Sequence, residues 1–143
     1  MTVDSAISGA LGSKARNLSL PVVAIIDDDP DILQALDIVL SSCEYRPVLF
    51  ASAEEFLGAA ATSEAACLVV DIQLGGISGV ELGRQLSASG FTFPIIFMTG
   101  SRDELHRQRA IEVGCAAFLL KPFPTERLIE AVTSAIGPKP KLK

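Results

Sequence analysis

Residues 22–30 read Val22-Val23-Ala24-Ile25-Ile26-Asp27-Asp28-Asp29-Pro30. Five apolar residues stand in a row without alternation. That pattern marks a strand buried on both faces, as in a parallel sheet, rather than one with a wet side. Three acids stop the run. Pro30 then opens a helix, because its fixed φ suits a first turn and its missing N–H costs nothing there. Ile32, Leu36, Val39 and Leu40 recur at helical spacing through about Ser42.

Working outward, the same unit repeats. A short strand at 47–50 precedes Ser52 and Glu55, a capping box for a helix carrying Phe56 and Leu57. The run 67–70 ends at Asp71, and a Gly-rich loop leads to a helix near 78–88 with Val80, Leu82 and Leu86. The run 94–98 ends at Thr99 and is followed by a charged, weakly amphipathic helix over 102–113. The run 117–120 ends at Lys121, and the helix over 124–136 stripes Leu128, Val132 and Ile136. Strand–helix alternation of this kind predicts right-handed βαβ units and one parallel sheet. The expected fold is α/β, a three-layer α/β/α sandwich. Its five-stranded sheet would take the flavodoxin-like order 2-1-3-4-5.

A chain of 143 residues, 49% hydrophobic and 20% charged, suits one domain with a real core. Residues 1–20 are rich in Gly, Ser and Ala and are expected to form a flexible arm. The domain spans 21–137, and 138–143 is a basic tail behind the helix stop Gly137. Residues 21–137 hold 7 basic against 16 acidic residues, a net charge of −9. That balance excludes a phosphate-tracking surface, so direct nucleic-acid binding by this domain is not expected. No apolar run is long enough to span a membrane, and Asp4 interrupts any secretory signal. Cys43, Cys67 and Cys115 form no CxxC pair. Free thiols in a reducing cytoplasm are expected.

The polar residues at strand ends carry the chemistry. Asp27, Asp28 and Asp29 close the first strand, Asp71 the third, Thr99 the fourth and Lys121 the fifth. In a doubly wound sheet these are all carboxyl ends, and strands one and three flank the switch point where ligands bind. Clustered carboxylates repel unless a cation offsets them. Hard oxygen ligands suit Mg²⁺. Lys121 and Thr99 would face a phosphoryl group over Asp71, since a carboxylate can accept phosphate covalently. Each residue alone fits a turn or a cap. Asp29 suffices to cap the helix at Pro30, which leaves two acids unexplained. Their joint placement at four strand ends favours the site.

These stretches resemble the receiver domain of two-component response regulators over about 21–137. The carrying motifs are VVAIIDDDPDI, CLVVDIQLGGISGVEL, PIIFMTG and FLLKPF, in family order. Among such receivers, the chain most resembles those that precede a LuxR-type DNA-binding module. The resemblance implies a signalling switch whose phosphoacceptor is Asp71, charged by a sensor histidine kinase or phosphotransfer protein. It implies Mg²⁺ held by Asp28, Asp71 and the backbone carbonyl of Gln73, with Asp27 acting through a metal-bound water. Thr99 would be the switch hydroxyl and Lys121 the phosphate-pairing lysine, ahead of a cis bond to Pro122. Phe118 would be the aromatic switch, although an aromatic in an apolar run also reads as plain core. The only chemistry implied is self-phosphorylation and self-dephosphorylation. The helix over 102–113, the fifth strand and the last helix would form a face for homodimerisation or partner docking. Leu74-Gly75 replaces the usual Met-Pro, which predicts a more mobile loop. Two rivals stand beside this reading. One is a degenerate receiver that binds protein without phosphorylation. The other is a dehalogenase-type phosphatase using Asp27-x-Asp29. His106, the only histidine, is expected at the surface, and Cys67 and Cys115 as buried small hydrophobes.

Overall fold

The structure is a computed structural model that describes residues 20–137. All of the 138–143 tail and all but the last residue of the expected arm lie outside the described residues. The elements are β1 (Val22–Ile26), α1 (Pro30–Ser42), β2 (Arg46–Phe50), α2 (Ala53–Ala59), β3 (Ala65–Asp71) and α3 (Gly79–Ala88). β4 (Ile95–Thr99), α4 (Glu104–Val113), β5 (Ala117–Leu120) and α5 (Thr125–Ile136) complete the chain, and a 3₁₀ turn at Ala60–Thr62 follows α2. All strand pairs are parallel, in the order β2-β1-β3-β4-β5. The three-layer sandwich and strand order expected from the sequence are therefore those observed.

The pleat sorts the apolar runs onto two faces. Ala24, Ile26, Leu68, Val70, Ile95 and Phe97 point to one side, where Phe56, Leu82, Leu86 and Ala110 of α2, α3 and α4 meet them. Val23, Ile25, Cys67, Val69, Ile96 and Met98 point to the other, against Leu36 and Leu40 of α1 and Leu128 and Val132 of α5. Both faces are covered, which is why the strands read as continuous apolar runs. Each fully buried Leu, Ile or Phe contributes roughly 1.5–3 kcal/mol. β2 is an edge strand, so it tolerates Pro47 and leaves Val48 and Leu49 exposed.

Helix starts follow their caps. Asp29 accepts from the Asp31 N–H and starts α1. Ser52 accepts from the Glu55 N–H at 3.0 Å, but Glu55 reaches back to the N–H of Ala51 rather than that of Ser52. α4 begins at Glu104, two residues later than the charge pattern suggests, because Asp103 caps it through the Leu105 N–H. Among the described residues, no helix is long and apolar enough to cross a membrane. Among the described residues, none of the three cysteines is in a disulfide. Cys67 is fully buried, while Cys115 is only half-buried.

Candidate functional site

The sheet brings the polar strand ends to one edge. Asp27 directly follows β1 and is fully buried, and its two oxygens are both used. Oδ1 accepts from the Asp29 N–H at 2.9 Å, and Oδ2 accepts from Lys121 Nζ at 2.9 Å. Asp71 ends β3, next door to β1. Its Oδ1 accepts from the Gln73 N–H at 3.0 Å, and its Oδ2 from Lys121 Nζ at 3.3 Å. Asp28 is exposed, and its Oδ2 accepts from the Gly75 N–H at 3.1 Å. One oxygen from each of Asp27, Asp28 and Asp71 lies within 4.8 Å of the others. Asp29 points elsewhere, into its capping bond.

Among the described residues, Lys121 is the one cation bonded to this cluster. It follows β5 and a cis peptide bond joins it to Pro122. Burial pulls its ammonium down, but Asp27 and Asp71 outweigh that and hold it above the ordinary lysine value. Asp71 is raised too, which for an acid disfavours the charged form. Burial pushes its carboxyl up, the Gln73 N–H opposes that, and the charge on Asp27 adds to the rise. One ammonium thus offsets three carboxylates incompletely. An all-oxygen set with surplus negative charge is what a hard divalent cation fits, so the residues present suit Mg²⁺.

Thr99 ends β4 and is fully buried. Its hydroxyl donates to Gln73 Oε1 at 3.2 Å and accepts from the Ser101 N–H at 3.1 Å. Phe118 is half-buried against the α2–α3–α4 face, and the Arg107 guanidinium lies 5.9 Å from its ring centroid.

The loop after Asp71 is tied more firmly than its glycines suggest. Asp28 holds Gly75, and Glu54 of α2 accepts from the Ile77 N–H at 3.1 Å. Gly76 has φ +80°, and a Cβ there would run into Glu54. Gly79 starts α3 against the Asp71 carbonyl and lies where a Cβ would stand 2.9 Å from Ile72 Cα. The Glu54 tether spans 23 residues, and no spacing rule announces it. His106 corrects another expectation. It is half-buried, with an Nδ1 that has no partner among the described residues, because α4 turns it toward α3 rather than outward.

A parallel α/β sandwich with a carboxylate cluster, a lysine and a hydroxyl gathered at its topological switch point defines a doubly wound domain with one acidic crevice at the carboxyl edge of its sheet. The profile of the response regulator receiver domain matches residues 23–133, and the chain belongs to that family. It is 34% identical over 135 residues to the response regulator protein TmoT of Ectopseudomonas mendocina, covering 94% of this chain and 61% of TmoT. It is 38% identical over 119 residues to the transcriptional regulatory protein FixJ of Azorhizobium caulinodans, covering 83% of this chain and 56% of FixJ. The crystal structure of FixJ-N superposes with a TM-score of 0.77 at 32% identity, over 81% of this chain and 93% of that one. The chain thus spans little more than half the length of the curated relatives it matches.

Proposed function

We propose that this domain is a phosphorylation-dependent switch whose acceptor is Asp71. The observation that carries the reading is the meeting of Asp27, Asp28, Asp71 and Lys121, from three separate strand ends, around one crevice. Asp28, Asp71 and the Gln73 carbonyl would hold Mg²⁺, with Asp27 contributing through water. The ion, when bound, neutralises charge on the phosphoryl oxygens. An Asp71 oxygen attacks phosphorus of a phosphohistidine on a sensor kinase or phosphotransfer protein. The new O–P bond forms as the P–N bond breaks, and the imidazole leaves with the electron pair and takes up a proton. Lys121, bonded to Asp27 and Asp71 at rest, pairs with the transferred group. In self-dephosphorylation water attacks phosphorus, the O–P bond to Asp71 breaks, and inorganic phosphate leaves as the carboxylate is restored.

Thr99 then turns its hydroxyl to a phosphoryl oxygen, and Phe118 follows into the space vacated. The readout face is α4, β5 and α5. α4 buries only Ala110 fully and leaves Leu105 and Ile111 exposed, which leaves much of its surface to a partner or a second copy. The same domain, with its acidic surface, makes no direct contact with nucleic acid.

Intact-mass measurement after acetyl phosphate and Mg²⁺ tests the reading. Wild type gains one phosphoryl group and Asp71→Asn gains none. No gain in either form, without phosphatase turnover, favours the degenerate, phosphorylation-independent binding module. Steady turnover of a generic phosphomonoester would favour the phosphatase reading. Sedimentation with and without beryllofluoride tests the face. An unchanged sedimentation coefficient argues against homodimerisation.

A further inference from the structure

The Thr99 hydroxyl is engaged on both sides before any phosphate arrives. Its proton goes to Gln73 Oε1, and the Ser101 N–H fills a lone pair. Gln73 is bonded to the acceptor as well, since its own N–H donates to Asp71 Oδ1. One residue therefore touches the acceptor through its main chain and the switch hydroxyl through its side chain. A hydroxyl has a single proton to donate. It cannot serve Gln73 and a phosphoryl oxygen together.

We propose that Gln73 is the latch of this switch. Its side-chain amide holds Thr99 in the resting arrangement, and the phosphoryl group must take the Thr99 proton from it. The latch rests on the reading of Thr99 as the switch hydroxyl. The released amide has somewhere to go. Gln73 borders a cavity of about 550 Å³ between α3 and α4, lined also by Ser78, Arg84, His106 and Arg109. His106 on that wall has a ring nitrogen without a partner among the described residues, and an amide carries both a donor and an acceptor to offer it. Gln73 acts as a positioning residue here, through Thr99. Its effect is to suppress switching in the absence of phosphate.

Beryllofluoride binding in the presence of Mg²⁺, followed by NMR titration, tests the latch in a four-protein cycle. The proteins are wild type, Gln73→Leu, Thr99→Val and the double variant. Removing the acceptor at 73 should tighten binding by about 2- to 12-fold, the range one hydrogen bond commands. In the Thr99→Val background the same change should do nothing, because no hydroxyl remains to be held. Gln73→Glu, which keeps an acceptor oxygen at the same reach, should still couple to Thr99. An equal shift in both backgrounds would mean that Gln73 acts on the ligand directly, and the latch would fall. So would unchanged or weaker binding by Gln73→Leu. Wild type failing to bind beryllofluoride at all would overturn the phosphorylation-dependent reading of Asp71 and Thr99 instead. In that case urea unfolding of the same four proteins without the mimic still decides whether Gln73 and Thr99 are coupled.

Discussion

Asp71→Asn should make the resting protein more stable. Asp71 is 6% exposed, and its carboxylate lies within 4.8 Å of those of Asp27 and Asp28. At an effective dielectric constant near 20, one such repulsion costs about 3.5 kcal/mol, and the Lys121 ion pair returns about 5 kcal/mol. Asp28 is exposed and its repulsion is largely screened, so the charge terms nearly cancel. The cost of burying a carboxylate, several kcal/mol per ion, then tips the balance against the ionised form. The raised Asp71 carboxyl points the same way. Asparagine keeps an oxygen for the Gln73 N–H and removes the charge. We expect about 1–2 kcal/mol of added stability at neutral pH in metal-free buffer. The sign with pH follows from linkage. An acid whose folded value is raised costs stability above that value and is relieved as pH falls through it. The gap between variant and wild type should therefore be full at neutral pH and close as pH drops toward 3.8, the ordinary aspartate value. Urea unfolding followed by circular dichroism measures it. Adding Mg²⁺ should narrow the gap from the other side, since the ion stabilises the protein that keeps all three carboxylates. An asparagine variant less stable than wild type at neutral pH, or a gap that widens on acidification, would refute the charge argument.

Three further outcomes follow from the same contacts. Gly79→Ala should cost about 1–3 kcal/mol in unfolding experiments, because its Cβ would press on the backbone of Asp71 and Ile72. Glu54→Ala should cost about 0.5–1.5 kcal/mol and speed amide exchange at Ile77, read by hydrogen-exchange NMR, by removing the carboxylate that holds it. The Cys67 thiol is pushed up to about 12 by burial, so a thiol reagent at pH 8 should leave it unmodified in the native protein and label it in denaturant.

Much of the site was legible along the chain because strand ends are marked by a change of polarity. Asp27, Asp28, Asp71, Thr99 and Lys121 each follow an apolar run, and a parallel sheet has to deliver all such ends to one edge. Only a topology rule was needed to gather them. The flanking hydrogen bonds carry no such mark. Glu54 looks like an ordinary first-turn acid, yet it closes the β3–α3 loop. Gly75 and Gly76 suggest a loose loop, yet two carboxylates from α2 and the β1–α1 turn hold it.

Elements, parallel assembly and the edge where the polar strand ends gather could all be read along the chain, because apolar period and polar stops are local quantities that fix burial. Which partner each polar group takes emerged only from the three-dimensional packing. The Gln73 amide reaches Thr99 across 26 residues, Lys121 reaches Asp27 across 94, and His106 turns inward. Those choices depend on strand register and helix rotation to within an ångström, and hydrophobic patterning constrains them only to a face.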